Sequence, residues 1–586
     1  MHPIHNHPQW RSRLSRLISS LTTPDALHTT LDDLPNYEVA QLFLERAQSA
    51  LPGFRLTQEN VAAIVQVCHH LDGIPLALEL AAARVKLLRV EEISARLDDR
   101  FRLLSDGSHT ALPRHQTLQA MVDWSHELLS ETERACLWRL SVFAGGWTLE
   151  AAENVCNDEE KIHASDILDL LTSLANNSLI SAKREQGEET RYSMLEIIRQ
   201  YAHEKLRTAG KVDFMRQRHL VYFLDLAERG NKQIHGPDQV EWMDRLEKEV
   251  DNYRAVLDWC ISKQYTEYAL RLLGALIWTW DWRGYSSEIY NRFDQVHVLP
   301  NVTDYPAPYA SLLNQIGFDS YSVGNNQYAK SVLKESQEIW LKLGLDGELG
   351  LAQALDNLGE IALYEDGDTG KAKSLFERSY RLYQKHGDEQ GMAWLIFHFG
   401  NLADVQGSYD EAERHYMKSL AKFGEFGDKS RIALVLSGLG EMARATDDYE
   451  RAGKYWGQNL EIFQELRARF TLAWPFIGLG WVALHTDDFE KAGTLFKEGL
   501  ILSNESSNYM NIALSLTGLA GVLGMTGKPE QAAQLLGAVE LIPEGIGRLE
   551  PADQKDFDHY VLVVRGQLEE PTFERAWAKG QMMMME

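Results

Sequence analysis

Apolar residues recur at helical spacing from the start of the ordered pattern. Tyr37, Val39, Ala40, Leu42, Phe43 and Leu44 predict one helix, and Thr57 with Asn60 three residues on predicts the cap of a second that holds Val61, Ile64, Val65 and Val67. Gly73 can take a positive φ and close that helix, while Ile74 is pushed out of the α region by the proline after it. Pro75 suits the first position of a third helix, because its missing N–H has no partner there anyway. That helix is expected from Leu76 to Leu88 and is apolar on almost every side through Ala81, Ala82 and Ala83, so it should be buried. A fourth follows from Val90 to Leu97, and Asp106-Gly107-Ser108 reads as a linker.

From about Leu118 to Arg207 the pattern changes to helices plus one hairpin. Ser130-Glu131-Thr132-Glu133 is a capping box, Thr148 caps the next helix, and Ser165 is expected to cap a third carrying Ile167, Leu168, Leu170, Leu171 and Leu174. Ser178 to Lys183 and Thr190 to Met194 flank the polar turn Glu185 to Glu189, the signature of a β-hairpin wing. Helices followed by a wing make a winged-helix arrangement. Reading a DNA groove needs cations for phosphates and donors for base edges, yet Asp166 to Asn177 holds Asp166 and Asp169 and no Lys or Arg. Direct nucleic-acid binding is therefore not expected.

The remainder is helical and periodic. Ala372, Ala412, Ala452, Ala492 and Ala532 recur every 40 residues, each followed four positions later by Phe376, Tyr416, Trp456, Phe496 or Leu536. The preceding helices carry Gly359, Gly400, Gly440, Gly480 and Ala520 at matching places. A small residue lets two helices cross closely, and the large one fills the gap between repeats. Gly317 with Ala329 and Leu333 gives an earlier, looser copy, Glu241 to Phe293 an entry pair, and Phe573, Ala576 and Trp577 a closing cap. The stack predicts a right-handed α-solenoid with a concave face suited to a peptide, a protein or a sugar. Trp394, Phe397, Trp474 and Trp481 are candidates for an aromatic stripe there or for packing between repeats.

Composition narrows the function classes. The 586 residues exceed one core and suggest three or four domains, and 44% hydrophobic with 25% charged residues is ordinary for globular protein. A net charge of −26 argues against unaided binding to nucleic acid or anionic membrane, and no apolar run is long enough to span a bilayer. Cys68, Cys136, Cys156 and Cys260 lack paired short spacing, so buried free thiols in a reducing cytoplasm are expected. His2, His5 and His7 lie in an expected flexible tail, and His69-His70 has no metal-spaced partner; no metal site is assigned.

The stretch Leu71 to Leu88, with Gly73-Ile74-Pro75-Leu76, Glu79, Ala81 to Ala83 and Arg84, resembles the Gly-Leu-Pro-Leu corner of NB-ARC-type signal-transduction ATPases, the STAND class. Val142 to Cys156 and Tyr192 to Leu206 resemble the same class, and the 40-residue repeats resemble lengthened tetratricopeptide repeats. The resemblance implies that Gly73, Pro75 and Leu76 border a nucleotide, and that Met194, Leu195 and Glu196 stand at the switch motif, with Leu195 where many members have an ADP-contacting histidine. The expected layout is a tail (1–35), a helical subdomain (36–105), a winged helix (106–210), an entry pair (211–304), repeats (305–540) and capping helices (541–586), a mainly α fold.

Phosphate binding in that class needs Gly-Lys-Ser or Gly-Lys-Thr, and the Gly-Lys steps here continue as Gly210-Lys211-Val212, Gly370-Lys371-Ala372, Gly453-Lys454-Tyr455 and Gly527-Lys528-Pro529. Asp32-Asp33 follows His28-Thr29-Thr30 rather than a buried apolar strand and reads as a solvated loop. The expectation is thus a non-enzymatic regulator, the switch and repeat-sensor portion of a STAND-type, often transcriptional, protein. ATP or ADP belongs to the full-length family and no cofactor is assigned to this chain. A protein or small ligand would bind the repeats, and self-association is left open. The alternatives are a free-standing repeat scaffold and a split ATPase whose P-loop comes from another polypeptide.

Overall fold

The computed structural model describes residues 34–583 apart from 72, 106–121, 159–160, 185–188, 323, 470, 507 and 541–550. The Asp32-Asp33, His28 and His2–His7 readings, the 106–108 linker and most of the hairpin turn lie outside these residues. The chain divides into two compact units, Met1–Tyr222 and Phe223–Glu586.

In the first unit, α1 (Glu38–Ala50), α2 (Val61–His70), α3 (Pro75–Ala82) and α4 (Val90–Ser105) form a helical group. Thr57 and Asn60 cap α2 reciprocally, with Thr57 N–H donating to Asn60 Oδ1 at 2.9 Å and Asn60 N–H to Thr57 Oγ1 at 3.3 Å. Gly73 takes φ +64° and Pro75 is the first residue of α3. The third helix is shorter than its pattern suggests. After Ala82 the backbone tightens to a 3₁₀ turn, Ala83–Lys86, and Leu87 is 72% exposed.

Residues 122–127 are helical. There follow α5 (Glu131–Leu140), β1 (Trp147–Thr148), α6 (Leu149–Cys156), α7 (Ile167–Asn176), β2 (Ser181–Lys183), β3 (Arg191–Ser193), α8 (Glu196–Thr208) and the start of α9 (Val212–Gln233). Ser130 and Glu133 make the capping box of α5, and Thr148 accepts from Ala151 N–H. Two details differ from the sequence pattern. The wing gains a third strand, because Trp147 pairs with Tyr192, giving the antiparallel order β1-β3-β2. Ser165 is not a cap but sits inside a 3₁₀ turn whose entry is fixed by Asp166 accepting from His163 N–H at 3.3 Å.

The second unit begins with α10 (Gln239–Lys248), α11 (Val250–Lys263), α12 (Thr266–Trp282) and α13 (Ser286–Val296). Antiparallel pairs follow: α14 (Pro306–Ser322) with α15 (Asn326–Leu343), α16 (Glu348–Tyr364) with α17 (Thr369–His386), α18 (Glu389–Val405) with α19 (Tyr409–Phe426), and α20 (Lys429–Ala445) with α21 (Tyr449–Glu465). Next come α22 (Ala473–His485) with α23 (Phe489–Glu505) and α24 (Tyr509–Met525) with α25 (Pro529–Glu540), then α26 (Pro551–Arg565) and α27 (Glu570–Met583).

The glycines show why the pairs stack. A Cβ at Gly359 would meet Phe376 at 2.4 Å, at Gly400 Tyr416 at 2.6 Å, at Gly440 Trp456 at 2.7 Å and at Gly480 Phe496 at 2.9 Å. A second series grips the same rings from the following repeat: Gly438 faces Tyr416 at 3.1 Å, Gly478 faces Trp456 at 2.2 Å and Gly518 faces Phe496 at 2.2 Å. His398 takes the equivalent place in the preceding repeat and stacks on Phe376 at 5.2 Å. Ala372, Ala412, Ala452, Ala492 and Ala532 are all fully buried one turn before the ring or its Leu536 counterpart. Between helices, the same turn position adopts positive φ in Gly367, Gly407, Asp447, Asp487 and Gly527.

The second unit also closes on itself. Gln239 donates to Ser430 Oγ at 2.9 Å and accepts from Ser430 N–H at 3.0 Å, and Trp282 packs edge-on to Phe463 at 5.4 Å. Arg444 on α20 reaches Asp553 and Asp556 on α26, each at 2.5 Å.

Gly478→Ala should lower the unfolding free energy by about 1–3 kcal/mol through overpacking against Trp456. Gly457→Ala, in α21 with nothing within 4 Å of its added Cβ, should raise it by about 0.5–1 kcal/mol. Denaturant unfolding of both variants distinguishes ring clamping from a general helix-propensity effect.

Candidate functional site

The inner helices of the repeats enclose a cavity of about 310 Å³. Glu360 on α16, Asp404 on α18, Glu441 on α20 and Asp553 on α26 line it together with Glu365. No Lys, Arg or His is found among the described lining residues. Trp394, Phe397, Trp456 and Trp474 supply apolar walls.

The carboxylates fall into two groups. At one end Arg444, 3% exposed, is gripped by Glu441, Asp553 and Asp556 at 2.5 Å each. Glu360 and Asp404 have no such partner. The Glu360 side chain is 13% exposed, and its neighbour His398 stands 3.9 Å away. Burial and the nearby Arg431 keep His398 neutral, its pKa pushed down to about 3. Burial pushes Glu360 up to about 8, and burial with the nearby Glu441 pushes Asp404 up to about 7. On α12 and α14, Asp281 and Asp319 form a buried acid pair, both raised by desolvation, with Ser286 donating to Asp281 at 2.8 Å. Behind Glu360, burial also raises Asp356 well above the carboxylate range.

Of the aromatic candidates, Trp394, Phe397 and Trp474 face the cavity, whereas Trp481 is 1% exposed inside the core against Phe496 and Tyr560. Arg431 covers one face of Trp394 at 4.8 Å. The repeat glycines and alanines pack the helices that hold this wall.

In the first unit, Gly73 and Pro75 form the corner before α3. Leu76 is its second residue. Met194, Leu195 and Glu196 lie at the junction of β3 and α8, far along the chain from that corner. Leu195 is 46% exposed, and Glu196 accepts from Arg199 at 2.8 Å and from Gln200 at 2.9 Å. Those bonds hold its carboxyl below the usual range. The residue that joins the helical group to the winged helix is Arg84. It is 1% exposed, donates to Asn177 Oδ1 at 2.5 Å and to Ser125 O at 3.4 Å, and burial pulls its pKa down to about 10. Glu133 lies near enough to favour its charge and itself accepts from Ser173 and from Ser130 N–H. The four cysteines are buried and free, with burial raising each thiol.

The supposed reading helix α7 carries Asp169 and no basic residue, but the wing carries Lys183, Arg184 and Arg191. No described helix is long and apolar enough to cross a membrane.

A winged helix-turn-helix domain model matches residues 129–207, and a tetratricopeptide repeat model matches 308–385 and 431–503. A Mycobacterium tuberculosis H37Rv protein provisionally named HTH-type transcriptional regulator is 40% identical over 259 residues, covering 44% of this chain and 29% of the relative. An uncharacterised protein of the same strain is 39% identical over 176 residues, 30% of this chain and 44% of that one. The chain thus spans 29% of the length of the first curated relatives it matches. Among solved structures, a STAND protein with a tetratricopeptide repeat sensor from Pyrococcus horikoshii superposes with TM-score 0.39 at 14% identity, over 94% of this chain and 72% of that one. A Rap protein complexed with competence and sporulation factor gives TM-score 0.40 at 13% identity, over 61% and 99%.

Glu360 and Asp404 hold protons in the folded chain at pH values where the unfolded chain, with ordinary values of 4.5 and 3.8, has lost them. Folded stability contributed by these groups therefore falls as pH rises from about 4 to about 8. Calorimetric unfolding should show the midpoint of the repeats declining over that interval. Glu360→Gln should raise the midpoint at pH 8 and flatten the decline, whereas an unchanged slope would place the titration elsewhere.

Proposed function

Because its winged helix and tetratricopeptide repeats fit a STAND-like regulator, we propose that this chain is the switch and sensor portion of a regulatory protein, with ligand taken up on the repeats. The observation that carries the reading is the cavity on the inner helices: it is walled by aromatic rings, is a size that suits a small molecule or one side chain of a partner, and holds the Glu360 carboxyl group, whose burial no structural partner offsets. Polar groups placed that way are costly to the fold, so an occupant is the physical reason for keeping them.

The winged helix is assigned a regulatory role rather than DNA reading, because α7 offers no cation or base-edge donor of the Arg or Lys type. Arg84 fits that role, since it ties the segment after the Gly73-Pro75 corner to the C-terminal end of α7 through Asn177. A change at either partner is therefore felt at the other. Nucleotide hydrolysis is not assigned to this chain, whose Gly-Lys steps lack the following Ser or Thr that holds the phosphate-bound metal ion. The wing cations Lys183, Arg184 and Arg191 support a second reading, non-specific contact with a phosphate backbone.

Titration of a fluorescent 30-base-pair duplex at about 50 mM salt separates the two readings, because phosphate contacts are strongest at low salt. The regulatory reading expects no saturation up to about 10 µM protein and no micromolar heat on calorimetric titration with ATP or ADP. Tight duplex binding lost in Lys183→Ala/Arg184→Ala would move the DNA contact to the wing, and micromolar nucleotide binding would return the site at Gly73 and Pro75 to the family's use.

A further inference from the structure

Resting on the reading of the repeats as a sensor, we infer that the cavity takes an extended organic cation, of the linear polyamine type, laid along the inner helices between Glu360 and Asp404. The first support is charge: five carboxyl groups and no basic side chain occur among the described lining residues. The second is a polar side chain in the cavity wall without a partner, whose amide oxygen can accept from an ammonium group. Asn511 is 7% exposed and lines the cavity, and its side-chain amide has no hydrogen bond among the described residues.

The cavity contains its own demonstration of the chemistry. Where a guanidinium is available, that of Arg444, the groove surrounds it with Glu441, Asp553 and Asp556 and lays Trp481 beneath it at 5.4 Å. Glu360 and Asp404, on the adjoining inner helices α16 and α18, present carboxyl groups and the rings of Trp394 and Phe397 with no cation between them. Arg431 is committed to other partners, over Trp394 and Phe423 and 3.4 Å from Asp428.

The shape of the charge argues for an extended cation over a metal ion. No three His, Cys, Asp or Glu side chains converge to ligate an ion among the described residues, and Glu360 and Asp404 line the cavity from separate helices, α16 and α18. Ammonium groups joined by methylene chains can meet carboxyl groups on separate helices, with the methylenes against the aromatic wall. A neutral sugar would use the rings and amides and could donate to the carboxyl groups, but would bring no positive charge to balance them.

The test is calorimetric titration of the full chain with spermidine at 100 and 300 mM NaCl, repeated on Glu360→Gln, Asp404→Asn and the double variant, with raffinose as the neutral comparison. The assignment expects saturable spermidine binding that survives 300 mM NaCl, weakens at least tenfold in the double variant, and has no raffinose counterpart. Circular dichroism and the Glu360→Gln midpoint at pH 8 confirm that the variants fold. Absence of saturation to 1 mM spermidine overturns it, as does binding indifferent to both substitutions, which is attraction to the acidic surface. Raffinose binding lost in Trp474→Ala, without spermidine binding, overturns the cation and leaves the sensor reading standing. Spermidine binding through Glu360 and Asp404 that leaves amide exchange in 129–207 unchanged supports the cation and removes the sensor reading.

Discussion

Everything in the second unit depends on rings held between two backbones. Tyr416, Trp456 and Phe496 each lie against a glycine of their own helix pair and a glycine of the next, at distances where a single methyl group would collide. The contact brings helix backbones closer than side-chain packing allows and fixes each pair's angle to its neighbour. The inner helices then have no freedom to spread, and the spacing of the cavity wall follows. Where the first glycine becomes Ala520, the ring becomes Leu536, so the volume of the contact is preserved although its parts change.

This contact is also why the repeats are legible in the sequence. Small and large residues meet within about 17 positions of one another, so the rule is written locally and repeated every 40. The corner at Gly73 and Pro75 and the caps at Thr57, Ser130 and Thr148 are legible for the same reason, each being a bond between near neighbours. The 3₁₀ turn after Ala82 was not, because the helical pattern continues through it while Arg84 is drawn aside to Asn177, 93 residues away. Nor was the strand at Trp147, whose partner Tyr192 lies across the whole winged helix.

The cavity was half visible. Aromatic residues at helical spacing could be picked out, but whether each faces the lumen or the core is decided by neighbouring repeats, and Trp481 differs from Trp474 in that respect alone. The carboxyl groups gave no signal, since Glu360 and Asp404 look like ordinary surface acids in a chain that has 85 of them. Their burial comes from the inner helices of several repeats lining one cavity, a relation that composition and periodicity do not record.

That fold-back has a consequence for how such a chain can change over time. An open solenoid grows or shrinks by copying or losing a unit, because each unit answers only to its neighbours. Here Gln239 meets Ser430 and Arg444 meets Asp553, so α10 and α26, near the two ends of the unit, are both keyed to α20. Adding one unit on either side would shift those partners by a whole step and open the ring. The number of repeats is therefore a fixed dimension of this unit, and its variation must proceed by substitution within repeats.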